Sequence, residues 1–290
     1  MKLITYLYQG SERVGVLSKD GRRVCEIPGF LSMNELIEKW DSILAKTIAD
    51  LAQEGKNSLD IEKVVLMAPI PRPKQDVICL GINYLEHARE SEGFDKEAFG
   101  GERTSAIYFS KRVNEAPRHG GDICGHFNIV DSLDYEAELG VIIGKDTKNA
   151  AFEEVRDCIF GYTIINDISA RNVQTAHKQW YFGKSLDDFT PMGPCIVTAD
   201  EIAYPPALKI TAKVNGELRQ NSSTDLLITD IDHIIHELSM GMTLKAGTII
   251  ATGTPSGVGM GMKPPCFLNE GDIVECEIEN IGVLMNRIVK

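Results

Sequence analysis

The segment Leu133-Asp-Tyr-Glu-Ala-Glu-Leu-Gly-Val-Ile-Ile143 carries carboxylates into a run that finishes as a buried strand. Glu136 and Glu138 stand two apart, so in a strand both side chains leave the same face. Like charges so close on a strand entering a core require a cation or a proton between them. A third acid closes another apolar run, Ile164-Ile165-Asn166-Asp167. Glu136, Glu138 and Asp167 would form an all-oxygen site, which suits Mg²⁺ or Mn²⁺, with Ca²⁺ as a substitute, rather than zinc. Asp134 shares the Glu136 face and fits a supporting partner better than a ligand. The alternative is a half-exposed strand with a solvated acidic face, because E-x-E pairs are common.

A second constellation lies in Gly81-Ile-Asn-Tyr-Leu-Glu-His-Ala-Arg-Glu90. Asn83 is placed to cap a helix over 84–90, with Glu86 completing a capping box. His87 and Glu90 then share one face of a single turn. A carboxylate that fixes the tautomer of a histidine and raises its basicity makes a general base. An exposed His beside an exposed Glu on a surface helix would give the same spacing. The stretch that follows, with Gly93, Gly100, Gly101 and Arg103, reads as a mobile lid or as a plain loop.

Other motifs fail on inspection. Phe182-Gly183-Lys184-Ser185 ends like a phosphate-binding loop, but Lys178 occupies the place of its first glycine. Thr252–Gly261 is glycine-rich, yet Pro255 and the lack of a following helix argue against a dinucleotide fold. His233 and His236 lack the second spacing of a zinc protease. None of the seven Cys forms C-x-x-C or has a recognisable His partner, which leaves no disulfide framework, zinc clip or thiol nucleophile.

The elements that must hold these groups are mostly strands. Residues 1–68 read as a small N-terminal α+β domain, with strands over 2–8, 13–18 and 22–27. One helix follows, capped by Ser32 and closed by Gly55. Pro69, Pro71 and Pro73 force an extended segment, so 69–75 reads as a linker and 76–290 as a second domain. Beyond it the candidate strands are 76–80, 105–110, 135–143, 158–166, 195–198, 208–214, 247–252, 273–279 and 283–289. Asn215-Gly216 signals a type I′ hairpin, and 280–282 joins the last two strands similarly. Helices near 84–90, 169–178 and 230–240 do not alternate regularly with strands. The pattern disfavours a doubly wound or barrel fold and favours a closed or rolled mixed β-sheet, α+β but mostly β.

Composition narrows the partners. Thirty Lys and Arg against 42 Asp and Glu give a formal charge of -12 over 290 residues. That sign disfavours nucleic acid and anionic membrane surfaces. The longest apolar run, about 64–70, is far short of the ~20 residues that span a bilayer. The first residues lack the features of a signal peptide, and the cysteine usage fits a reduced, cytoplasmic protein.

Six segments in order make a pattern more specific than any one of them: GINYLEHARE (81–90), DYEAELGVIIG (134–144), GYTIINDISARNVQ (161–174), FGKSLDDFTPMGP (182–194), NGELRQ (215–220) and ATGTPSGVG (251–259). From about Pro73 onward the chain resembles the fumarylacetoacetate hydrolase family. The resemblance implies a mixed β-sandwich roll, a homodimer and a divalent metal on Glu136, Glu138 and Asp167. It also implies a His87–Glu90 lid dyad that activates water, Lys184 in the substrate site, and substrate contacts at Gln174, Gly253 and Thr254. Ile82 departs from the commonest form of the first segment, where Arg or Leu is usual, and bears on substrate fit.

The function expected is metal-assisted cleavage of a C–C bond in a small anionic 2-oxo acid such as an acylpyruvate. The same parts serve an alternative: oxaloacetate decarboxylation or tautomerisation, or isomerisation of an unsaturated 2-oxo dioate. A non-catalytic binding protein and a metal-independent Ser or Cys hydrolase are remoter readings. With a divalent ion bound, the three acids leave the site near neutral, which admits an anion to an acidic chain.

Overall fold

Runs rich in Val, Ile, Tyr and Leu, separated by glycine- and asparagine-centred turns, build sheet through most of the chain. The structure, a computed structural model, describes residues 1–55, 58–99 and 105–290. Gly100, Gly101 and Arg103 of the expected lid stretch lie outside the described residues.

Among the described residues the largest sheet has eleven strands. From edge to edge it runs Leu59–Asp60, Arg23–Glu26, Ser11–Leu17, Lys2–Tyr8, Met192–Thr198, Ile159–Asn166, Ala137–Ile143, Ile249–Ala251, Val77–Gly81 and Ile107–Lys111. Val65–Leu66 adds to Lys2–Tyr8 off this path. A second sheet orders Glu217–Ser223, Lys209–Val214, Ile273–Ile278, Gly282–Val289 and Asp122–Cys124. Most pairs are antiparallel, but Ile249–Ala251 with Val77–Gly81 and Gly282–Val289 with Asp122–Cys124 are parallel, so both sheets are mixed. Asn215 and Gly216 take φ of 52° and 80°, the left-handed pair that a type I′ hairpin needs between Val214 and Glu217.

Ala137–Ile143 and Ile159–Asn166 are buried along their whole length because apolar clusters cover both faces. Leu139, Val141 and Ile164 pack into one cluster, Ile142 and Ile165 into the other. Leu3, Val14 and Ile37 share that second cluster, and Lys2–Tyr8 pairs directly with Met192–Thr198. Residues 1–68 are thus joined to the rest by sheet and by core, although Pro69–Pro73 runs outside any strand or helix.

Two local expectations are corrected. The single helix expected between Ser32 and Gly55 is two, Met33–Glu38 and Ser42–Glu54. Asp41 takes extended backbone there and caps the second helix by accepting from Leu44 N–H at 2.7 Å, an alternative that short acidic side chains offer the chain. Asn83 does not cap the helix Leu85–Phe94, whose N-cap is Tyr84. Its amide instead donates to Thr229 O and Thr252 O, both at 2.9 Å, and accepts from Thr229 N–H. No helix among the described residues is long and apolar enough to cross a membrane.

Candidate functional site

The antiparallel register Ala137↔Asn166 sets Glu136 just before one central strand and Asp167 just after its neighbour, and Asp167 N–H donates to Glu136 O at 2.8 Å. Glu136 lies outside the strand expected at 135–143 because its N–H goes to the Asn166 side chain, 3.0 Å, instead of into the ladder. Glu138 enters two residues later. The three carboxylates are 4%, 1% and 0% exposed for Glu136, Glu138 and Asp167, and one oxygen from each lies within 4.8 Å of the others.

Three buried cations accompany them. Lys184 Nζ donates to Glu136 Oε2 at 2.7 Å and to Asp167 Oδ2 at 2.8 Å. Lys111 Nζ donates to Asp167 Oδ1 and to Ile168 O. Arg171 spreads its donors over Asp134 Oδ2 (2.9 Å), Glu136 Oε1 (2.7 Å) and Gln174 Oε1 (3.1 Å). Asp134 in turn accepts from the N–H groups of Tyr135, Gly259 and Met260, so it braces Arg171 against the glycine-rich loop. Lys111 and Arg171 went unassigned in the sequence. Arg171 stands inside a quoted segment, but a lysine that ends an apolar strand carries no sign of burial.

These partners divide the acids. Burial raises Glu136, but Lys184 and Arg171 outweigh it and hold its carboxyl well below the usual carboxylate range. Burial, with the charges of Asp167 and Glu136 beside it, pushes Glu138 well above that range. Among the described residues Glu138 accepts one hydrogen bond, from Gly253 N–H at 2.8 Å, and makes no direct ion pair, with Lys184 acting on it only at longer range. Burial lowers Lys184, yet Asp167 and Glu136 prevail and keep it charged. An all-oxygen set whose central carboxylate lacks a counter-charge fits a hard divalent ion.

The helix Leu85–Phe94 brings His87 and Glu90 over this cluster. His87 Nδ1 lies 2.8 Å from Glu90 Oε1, and both oxygens of Glu90 accept from Gly257 N–H. His87, Gln174, Lys184 and Thr254 line one pocket with Glu136 and Glu138. Gln174 has its oxygen taken by Arg171, at 3.1 Å. The Thr254 hydroxyl donates to Ala137 O and accepts from Gln220. Gly253 spends its N–H on Glu138. The far wall is apolar: Ile82, held at φ 54°, with Phe99, Trp180 and Met260.

A Cβ at position 261 would stand 2.3 Å from Glu90 Oε2. The carboxylate is the movable partner, so Gly261→Ala should displace Glu90 from His87 rather than disturb the sheet. We expect kcat to fall about 10²-fold, as loss of a positioned base does. Metal affinity by calorimetry should stay within about twofold, since the carboxylate cluster is untouched. Unchanged turnover would dissociate Glu90 from catalysis.

Comparison with known proteins places this geometry. Residues 76–289 match the family model described as fumarylacetoacetate (FAA) hydrolase C-terminal. The chain is 42% identical to the oxaloacetate tautomerase YisK of Bacillus subtilis (strain 168) over 287 residues, covering 96% of this chain and 93% of that protein. Among solved structures it is similar to the fumarylacetoacetate hydrolase of the psychrophile Exiguobacterium antarcticum, with TM-score 0.85, 36% identity and coverage of 100% and 99%. It also resembles maleylpyruvate hydrolase from Sphingobium sp. SYK-6 in complex with manganese(II) and pyruvate, with TM-score 0.78, 28% identity and coverage of 100% and 99%. The tautomerase relative fits the tautomerase or isomerase alternative better than acylpyruvate cleavage.

Proposed function

Since the chain belongs to the fumarylacetoacetate hydrolase family, we propose that it is a divalent-metal-dependent tautomerase of a small 2-oxo acid, with oxaloacetate as the first candidate. The observation that carries this reading is a pocket lined by Glu136, Glu138, Lys184 and His87, with Asp167 paired to Lys184 and Glu90 paired to His87 behind them. Those are the parts of a proton-transfer site.

Glu136, Glu138 and Asp167 would hold Mg²⁺ or Mn²⁺. When bound, the ion supplies Lewis-acid polarisation of a carbonyl oxygen. The remaining work belongs to the chain. Glu90, an acceptor only, keeps the ring proton on His87 Nδ1, so Nε2 presents a lone pair that can take a proton from the carbon next to the carbonyl. Lys184 Nζ sits among the acids as a charged donor, placed to stabilise negative charge that develops on substrate oxygen. Gln174 offers its amide N–H groups to the substrate carboxylate, and Trp180 and Phe99 exclude water from the far side. Gly253 and Thr254 shape the pocket through Glu138 and Ala137 O.

Hydrolysis of an acylpyruvate is the second reading, favoured by the same 2.8 Å dyad, because a positioned histidine also activates water. The purified protein with Mg²⁺ or Mn²⁺ decides between them. The first reading predicts loss of the oxaloacetate enol absorbance with no pyruvate formed, and little turnover of acetylpyruvate. Rapid pyruvate release from acetylpyruvate, with an inert oxaloacetate enol, would reverse the order. A homodimer in the cytoplasm is part of the proposal, its assembly open to light scattering after gel filtration.

A further inference from the structure

The hold on Glu90 leads back to the strand that carries the metal ligands. Both carboxylate oxygens of Glu90 accept from one donor, Gly257 N–H, at 3.1 and 2.9 Å. The carbonyl of the same glycine accepts from the Tyr135 hydroxyl at 2.8 Å. Tyr135 is buried and immediately precedes Glu136. One residue earlier, Asp134 accepts from Gly259 N–H at 2.7 Å and from Met260 N–H at 3.0 Å. Asp134 and Tyr135 thus grip the 257–260 segment at three points, and the next residue along the chain enters the carboxylate cluster.

Gly257 has a particular need of that grip. Its φ is 102°, a region open to glycine, and a Cβ there would stand 2.0 Å from Arg219 O. The position therefore excludes a side chain whose packing could set its backbone torsions. Asp134 acts two and three residues further on, so among the described residues Tyr135 is the side chain that holds the Gly257 carbonyl. Rotation about Gly257 would turn its N–H away from Glu90 and release the carboxylate that faces His87 Nδ1 at 2.8 Å. Burial alone does not dictate such a bond. Tyr6 and Tyr84 are as deeply buried, and their hydroxyls have no partner among the described residues. We propose that Tyr135 is a positioning residue for the general base: its hydroxyl fixes Gly257, Gly257 fixes Glu90, and Glu90 sets the His87 ring. This inference rests on the reading of His87 and Glu90 as the proton-transferring pair, which tautomerisation and hydrolysis share.

Tyr135→Phe tests this, because it removes one hydroxyl and keeps the ring that packs in the core. The assay uses Mn²⁺ and whichever of oxaloacetate enol and acetylpyruvate the wild type turns over. In Tyr135→Phe kcat should fall about 10-fold, with KM held within about twofold. Mn²⁺ affinity by calorimetry should also stay within about twofold, although the change adjoins Glu136. Glu90→Gln should by itself lower kcat about 10²-fold. Adding Tyr135→Phe to it should lower kcat less than twofold further, because the two residues act through one chain of contacts. A second measurement needs no turnover. In protein carrying ¹⁵N-labelled histidine, the His87 Nδ1 proton is assigned by its absence from His87→Asn. Its bond to Glu90 should place it downfield in the wild type, and it should move upfield in Tyr135→Phe as in Glu90→Gln. An unmoved resonance, or losses that multiply in the double variant, overturns the proposal. Weakened Mn²⁺ binding in Tyr135→Phe also overturns it, by assigning the tyrosine to the metal ligands instead. Should the wild type turn over neither substrate, the functional reading fails by itself. The His87 resonance and the Mn²⁺ affinity of Tyr135→Phe still decide whether Tyr135 positions the dyad.

Discussion

Glu138→Gln should abolish divalent-ion binding and turnover together and leave the fold in place. The reason lies in the partners of each acid. Asp167 balances Lys111 and Lys184, and Glu136 balances Lys184 and Arg171, so neutralising either strands buried cations as well as removing a ligand. Glu138 makes no direct ion pair, and its carboxyl is already pushed toward the protonated form by burial and by Asp167 and Glu136, which outweigh the more distant Lys184. Glutamine copies that neutral form and can still accept from Gly253 N–H. What it cannot supply is an anionic oxygen to a hard cation. Activity should drop about 10³-fold or more, the scale of losing several kcal/mol of Lewis-acid stabilisation. Titration calorimetry with Mn²⁺ should show no binding. Saturating Mn²⁺ should stabilise the wild type by about 2.7 kcal/mol at one hundred times Kd and leave the variant unmoved. Full activity in a variant that binds no metal would remove the three-carboxylate site from the mechanism.

The second large effect falls on stability. Arg171→Met fills a similar volume but leaves Asp134 and Glu136 as buried charges without their guanidinium. Breaking a buried pair by removing one partner costs about 3–5 kcal/mol. In a chain of this size that corresponds to a fall in Tm of about 10 °C. Arg171→Lys should recover only part of it, because a point charge cannot reach Asp134, Glu136 and Gln174 in one fork. Thermal unfolding without added metal separates this loss from any loss of ion binding. A variant as stable as the wild type would show that the pairs of Arg171 with Asp134 and Glu136 contribute no net stability.

The charge balance shows how far local sequence reaches. Three acids and a divalent ion make a nearly neutral site, but the structure contains more charge than that. Asp134, Glu136, Glu138 and Asp167 are four buried carboxylates facing Lys111, Arg171 and Lys184. Without a divalent ion the cluster carries one excess negative charge, the charge that protonation of Glu138 removes. With the ion it carries one excess positive charge, which Glu90 beside His87 balances. A balanced site admits an anionic 2-oxo acid to an acidic chain.

Several features were legible because they are short-range. Glu136 and Glu138 are two apart, His87 and Glu90 three apart, and Asn215-Gly216 specifies its own turn; each needs only a local period or a local φ. The run of prolines from Pro69 to Pro73 is local in the same way and lies outside any strand or helix, whereas the pairing of Leu3 with Ile196 that carries the sheet past it is not local. The split of the helix at Asp41 and the diversion of Asn83 to Thr229 and Thr252 turn on side-chain hydrogen bonds that compete with a cap.

The sequence by itself determined that three acids and a histidine–glutamate pair exist at spacings suited to metal and base chemistry, because those spacings are periods of a strand and a helix. Only the tertiary structure decided which acid stays uncompensated, that Lys111 and Arg171 are buried beneath the site, and that the Tyr135 hydroxyl meets Gly257 O. Protonation and ligation depend on through-space distance in a low-dielectric interior. Residues 35, 56 and 83 positions apart meet there, as Arg171 meets Glu136, Lys111 meets Asp167 and Ala137 meets Gln220.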